Sequence, residues 1–410
     1  MTVVGRADAT PDRAAPSAGQ GRAARRSARR VEGSARVAAR SVRRAGRHPA
    51  AVVVLVGASL RLLAWAVDVL RSTPLQLAGR TPDDAYYYLV IARNLAAGRG
   101  PTFDGVDPTT GYQPLWQGVL AAVAGVVPDR QLLQVALLLG AVLAIAGFCA
   151  YARVVHSIVA LTPLGFAVGL AVATGPVAWE RTVNGMEGPA VVVAMALVAV
   201  AAMRWWREPS ARSMALVGAA AGLLCLGRTS QATTIVIVPV LLLWGLRRSG
   251  VRVSLGRQVG AWVAGAVAVC LPWFLWSWAT VGTTTSTAGA VKAHWQELTT
   301  GSFPSSAGLK QTQLAAATEL WRQVSAIAPS TYDAPGLVRK AIELALVGLV
   351  AWAALRLVRR APGGVVVLAP ALAVVARYGV ELLWIPNMRA SWYTAPLFTL
   401  TGLAVAVGVS

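Results

Sequence analysis

Residues 131–152 read QLLQVALLLGAVLAIAGFCAYA, an unbroken apolar run with no charged side chain. A helix must cover roughly 20 residues to cross ~30 Å of hydrocarbon, and this run does so with no polar stripe to turn toward water. Blocks of comparable length recur at about 50–71, 162–179, 189–205, 212–228, 231–247, 258–280, 337–357, 363–385 and 393–409. The chain therefore reads as an all-α, polytopic transmembrane helical bundle of about ten spans. The stretch 115–127 is too short to cross and is expected to be a juxtamembrane helix. Left uncrossed, it puts the arginine-rich loops 151–160, 204–212, 247–257 and 356–360 on the side of the N-terminal tail, which is cytoplasmic by the positive-inside rule. Both termini are then cytoplasmic. Loops 72–129, 180–188 and 281–335 and the turn 386–392 face out.

Composition excludes the main alternatives. Of 410 residues, 56% are hydrophobic, and the mean hydropathy is +0.57, far too apolar for a soluble core. The net charge of +21 suggests nucleic acid at first sight. The basic residues, however, sit in residues 1–48 or in short loops between apolar blocks, so the charge is topological and no nucleic-acid partner is expected. Residues 1–48 lack large apolar side chains and form a disordered basic cytoplasmic tail, either solvated or lying on anionic lipid. The remaining 49–410 form one transmembrane domain. No cleavable signal peptide is expected. Cys149, Cys225 and Cys270 show no paired spacing and read as buried thiols. Lysine is nearly absent beside many arginines, which suggests a GC-rich bacterial genome, and a bacterial inner membrane is the expected location.

The first outer loop reads TPDDAYYYLVIARNLAAGRGPTFDGVDPTTGYQPLW over 81–116. Thr81 is the expected N-cap, Pro82 the first helical residue, and Gly98 and Gly100 the stop. Asp83 and Asp84 either cap this helix or, at the mouth of a membrane protein and followed by Tyr86, Tyr87 and Tyr88, hold a divalent cation or take a proton from a hydroxyl. Glu187 ends a span, where a carboxylate must face a polar cavity unless it caps the helix before Pro189. Arg181, Arg228, Lys292 and Arg389 stand on the outer face, where orientation signals do not ask for cations. They suit a phosphate, with interfacial snorkelling as the alternative for all four, weighing more for Arg181 and Arg228 than for Lys292 and Arg389. His294 lies beside Lys292 and could assist proton transfer. Trp295, Trp384, Trp392 and Tyr393 fit a sugar-stacking wall or an interfacial aromatic belt. Arg377 and Glu381, four apart in a span, are expected to pair.

The acidic loop resembles the first outer loop of the C-type membrane glycosyltransferases (GT-C), whose members include protein O-mannosyltransferases, the lipid A aminoarabinose transferase and mycobacterial arabinofuranosyltransferases. The resemblance continues through GMEGPA at 185–190, GTTTSTAGAVKAHW at 282–295 and MRASWYTAP at 388–396, four stretches in order over most of the chain. Thr285 or Ser286 stands where the superfamily often has proline, and no soluble C-terminal domain is expected after Ser410.

The resemblance implies a GT-C-like fold and an inverting transfer of a sugar from a polyprenyl-phosphate donor to an extracytoplasmic acceptor. Asp83, with Asp84 beside it, would be the catalytic base, Glu187 the second acid, and Tyr87 and Tyr88 part of the substrate site. Mg or Mn on Asp83 and Asp84, or the cationic side chains, would take up charge on the phosphate. The competing class is a transporter or flippase of a lipid-linked or anionic solute, which calls for polar residues at mid-membrane.

Overall fold

The computed structural model describes residues 49–284, 286–288, 291, 348, 351–359, 363–384 and 395–410. The basic tail, most of loop 281–335 and most of the expected span 337–357 lie outside them. Among the described residues there is no strand, and Thr102 and Pro108 form an isolated bridge. The helices are α1 (Pro49–Arg71), α2 (Pro74–Arg80), α3 (Asp83–Ala96), α4 (Pro114–Ala124), α5 (Asp129–His156), α6 (Pro163–Ala173), α7 (Pro176–Thr182), α8 (Gly188–Arg207), α9 (Ala211–Gly227), α10 (Thr233–Arg248), α11 (Leu255–Val281), α12 (Gly364–Trp384) and α13 (Ala395–Val409). A 3₁₀ turn, Thr229–Ala232, leads into α10.

Four helical segments are long and apolar enough to cross a membrane: Asp129–His156, Gly188–Arg207, Thr229–Arg248 and Leu255–Val281. Their ends follow helix electrostatics. Asp129 opens α5, while Arg153 and His156, Arg204 and Arg207, and Arg247 and Arg248 close α5, α8 and α10 against the negative end of the helix dipole. Along α11, Leu255, Val259, Val263, Val267, Leu271, Leu275 and Trp278 are all exposed. That is an apolar face at helical spacing turned outward, the pattern lipid demands and water forbids.

The core is layered through α5, α8, α9 and α11, with α12 against α10 and α13 against α6. Phe148, Tyr151, Met195, Trp205 and Met214 are fully buried in it. At one end of α8, Trp205 donates its indole N–H to Gln258 on α11 (2.9 Å); at the other, Glu187 meets Arg228 after α9. Cys225 and Cys270 are buried and Cys149 is partly so, and the Cys270 thiol donates to the Gly222 carbonyl of the neighbouring helix (3.5 Å).

The α9–α11 contact depends on glycine. A Cβ on Gly218 would strike the Trp262 carbonyl, and one on Gly265 the Ala215 carbonyl, so the two backbones touch as small residues allow. Leucine at Gly218 or Gly265 is expected to lower stability by about 1–3 kcal/mol or more through overpacking. Thermal unfolding of the purified chain measures this, and an unchanged midpoint would disprove the close approach.

The expected span 162–179 is broken. α6 stops at Ala173, Thr174 and Gly175 leave helical geometry, and Pro176 opens α7. Proline lacks the N–H that would continue the ladder and suits the first helical position. The boundaries at 163 and 182 thus fall near the expectation, but the element is two short helices.

Candidate functional site

The site is built where α3, α4, the start of α8 and the end of α9 meet. Thr81 is not the cap of α3: its hydroxyl donates to the Leu77 carbonyl (2.8 Å), finishing α2. Pro82 is the extended N-cap of α3, and Asp83 accepts the Asp84 backbone N–H (2.9 Å). Gly98 and Gly100, both at positive φ, end the helix as expected.

Helical spacing sorts the acidic pair. Asp83 is exposed, with Tyr86 and Tyr87 exposed one turn on, and Tyr87 packs on Phe103 at 4.8 Å between centroids. Asp84 is half-buried on the face of Tyr88, four residues on and buried. Tyr88 is the hinge of a hydrogen-bonded chain. Its hydroxyl accepts the Gln113 backbone N–H (3.0 Å) and donates to Glu187 Oε2 (3.2 Å). Glu187 Oε1 accepts from Arg228 Nη1 (2.7 Å), and Arg228 Nε donates to Ser230 (3.2 Å).

The structure gives each member of the charged pair a partner the sequence did not name, the other member. Glu187 stands at the N-cap of α8 but makes no side-chain cap bond; its carboxylate goes to Tyr88 and Arg228. Arg228 is 7% exposed and Glu187 3%, so Arg228 does not snorkel to an interface. An ion pair this dry has to satisfy its own hydrogen bonds, and the two hydroxyls and the guanidinium do so.

Residues absent from the expected list hold the chain in register. Trp116, fully buried on α4, donates to the Gly185 carbonyl (2.8 Å). Gly185 sits at φ +86, and its Cα lies so close to Ala85 that a Cβ would approach the Ala85 side chain to 3.1 Å. The Gln117 amide donates to the Tyr88 carbonyl (3.1 Å), and Gln113 Oε1 accepts the Thr229 N–H (2.9 Å), fastening α4 to the turn that carries Arg228. Asn94 organises the loop beyond: its amide donates to the Thr102 carbonyl (2.6 Å) and its oxygen accepts from Arg99. A polar residue just before or inside a short apolar helix, as Gln113 and Gln117 are, was the available signal.

Across the mouth, Thr109 and Thr287 share a hydroxyl contact of 3.0 Å, and the Thr287 N–H donates to Thr110 (3.2 Å). Two loops far apart in sequence are joined there. Tyr112 beside them is buried, which pushes its hydroxyl up to about 12, with the Trp273 indole opposing. At the exposed loop tip, the N–H groups of Val106 and Asp107 and the Thr102 hydroxyl hold Asp104 below its usual range.

Burial, and then the Glu187 charge, hold Tyr88 well above the usual phenol value of 10.0. The sign follows: stability carried by the neutral phenol is complete below about pH 10 and is lost as pH rises through the raised folded-state value. In an alkaline titration, wild type and Tyr88→Phe are expected to give equal phenolate absorbance up to about pH 10. A difference appearing below that pH would show Tyr88 to be wet.

Arg181, at the end of α7, is partly buried, and its Nη1 has no partner among the described residues; no bond joins it to the Glu187 cluster. Lys292, His294, Arg389, Tyr393, Trp295 and Trp392, and the side chains of Trp384 and Glu381, lie outside the described residues. Arg377 is 1% exposed within α12. Among the described residues, no group of three His, Cys, Asp or Glu side chains gathers to hold a metal ion. Asp83 and Asp84 supply two carboxylates, which suits a magnesium ion that completes its shell with water and substrate phosphate and does not suit a closed protein cage. No family model, curated protein or solved structure matches the chain.

Proposed function

We propose that the chain is an inverting GT-C-type glycosyltransferase with about ten spans in a bacterial inner membrane. It moves a sugar from a polyprenyl-phosphate donor to an acceptor outside the cytoplasm. One observation carries this: an exposed carboxylate, Asp83, stands one turn before exposed Tyr87 on a helix whose other face is locked by Tyr88 to the buried Glu187–Arg228 pair. A carboxylate that keeps contact with water and is carried on a rigid helix is suited to accept the proton of an incoming hydroxyl. Tyr87 and Phe103 offer an aromatic surface for a sugar ring beside it.

In this scheme the acceptor hydroxyl gives its proton to Asp83 as its oxygen attacks the anomeric carbon, and the bond to the donor phosphate breaks. Glu187 holds Tyr88 and Arg228 in place, so we assign it positioning in place of the proton transfer expected of a second acid. Magnesium or manganese, when bound at Asp83 and Asp84, would neutralise the departing phosphate.

The test is a reconstituted assay offering polyprenyl-phosphate sugars to wild type, Asp83→Asn and Asp84→Asn. Transfer by wild type and about 10²–10⁴-fold less by Asp83→Asn is expected. Equal transfer by all three removes the base assignment, and no transfer by folded wild type with any donor removes the enzyme.

A transporter or flippase remains the second reading because of one feature: the helix break at Thr174–Gly175 faces a charged residue, Arg61, within α1. Broken helices and intramembrane charge mark transport sites, but these come as matched pairs in two halves. Among the described residues no second such break accompanies this one.

A further inference from the structure

Arg61 stands about midway along α1, in the apolar block 50–71, where an ionisable residue calls for a function and a named partner. Its backbone-side partner is clear. The break between α6 and α7 frees carbonyls that no helix satisfies, and Arg61 Nε donates to that of Thr174 (3.3 Å). The guanidinium plane lies 4.4 Å from the Trp179 ring centroid, and Trp65 meets Trp179 edge-on at 5.8 Å.

The two terminal amino groups of Arg61 have no acceptor among the described residues. They border a crevice of about 420 Å³ whose walls include Trp65, Asp68, Arg80 and Trp179. Two turns above Arg61, Asp68 pairs with Arg80 at 2.6 Å and also attracts the Arg61 charge across the crevice. The rim residues Ala64, Pro176 and Glu180 are exposed, and so are Leu60, Leu63 and Val67 beside them on α1. The crevice therefore opens sideways, through the face of α1 that apolar exposure assigns to lipid.

We propose that this crevice binds the head-group phosphate of a membrane phospholipid, which enters laterally and accepts hydrogen bonds from the two free amino groups of Arg61. A planar guanidinium with a pair of unused donors matches two phosphate oxygens. Asp68, Arg80 and Glu180 mark the polar outer end of the crevice, where head groups lie, and Trp65 and Trp179 wall its deeper part beside Arg61. Glu180 at the rim suits a head group carrying an ammonium, so a phosphoethanolamine lipid is favoured over a phosphoglycerol one. The site is separate from the Glu187 cluster and does not depend on the transferase proposal.

Native mass spectrometry of the full chain in detergent tests it. The added lipids are phosphatidylethanolamine, phosphatidylglycerol, a polyprenyl phosphate and a phosphate-free diglycosyl diacylglycerol. Wild type is expected to retain one phospholipid about tenfold or more tightly than the phosphate-free lipid, and Arg61→Gln to abolish that preference. Ala64→Trp, at an exposed rim position, fills the mouth while leaving the Arg61 bonds intact and should act the same way; it decides the matter if Arg61→Gln does not fold. Equal retention of the phosphate-free lipid, or phospholipid retention unchanged in Ala64→Trp, overturns the proposal. Selective retention of polyprenyl phosphate alone also overturns it, since the crevice would then belong to the donor.

Discussion

Glu187→Leu is expected to destabilise the chain by about 3–5 kcal/mol, as is Arg228→Met, while the double variant recovers most of that loss. The reason lies in what each single change leaves behind. Without Glu187, the Arg228 guanidinium stays in a pocket where it is 7% exposed, and the Tyr88 hydroxyl loses its acceptor. Without Arg228, a carboxylate 3% exposed must shed its charge or draw in water. Replacing both with apolar groups of similar size removes the two desolvation penalties together. Thermal or denaturant unfolding of the four proteins gives the coupling, expected at about 4 kcal/mol or more, because the single losses sum to about 6–10 kcal/mol and the double loss is far smaller. Strictly additive losses would show the pair to be wetter and weaker than its burial states.

The second large effect concerns activity. Asp83→Asn is expected to lower sugar transfer by about 10²–10⁴-fold, the usual contribution of a positioned base, with unfolding nearly unchanged. Folding is nearly spared because the asparagine oxygen can still accept the Asp84 N–H that Asp83 accepts at 2.9 Å, and the first-turn charge that is lost is worth only about 0.3–1 kcal/mol at an exposed position. What is lost is chiefly the ability to take a proton. Asp84→Asn should separate from it: on the half-buried face with Tyr88, its loss is expected to appear first in stability. A fall in transfer for Asp84→Asn greater than that for Asp83→Asn would exchange the two roles.

The apolar blocks made most of the helices legible. The run 131–152 becomes α5 with a few residues added at each end, and 189–205, 212–228 and 258–280 become α8, α9 and α11 within a few residues. Period and length suffice there, because lipid requires every backbone group to be satisfied within its own helix. Block 162–179 misled for an identifiable reason: Gly175–Pro176 sits inside it, and hydropathy does not register the missing N–H that splits α6 from α7. Arg61 was overlooked in the same way, as one of three charges, with Asp68 and Arg71, averaged away in block 50–71.

In the site, Asp83, Asp84, Glu187, Tyr88 and Arg228 could be singled out by residue type and position. Their pairing could not. Glu187 and Arg228 lie 41 residues apart, and nothing local distinguishes an arginine that will pair inward from one that will reach an interface. Thr81 shows the same limit at short range: its residue type suits a cap, but the preceding helix had already claimed its hydroxyl.

The threonine clasp across the mouth joins residues 177 and 178 positions apart, which sets a timetable for biogenesis. Thr109 and Thr110 emerge from the ribosome early, whereas Thr287 emerges only after the whole of α11, which precedes it in the chain. Until then the acidic loop lacks this clasp. A nascent chain halted before Thr287 should leave a cysteine placed at Thr109 open to a water-soluble maleimide, and one released beyond it should not.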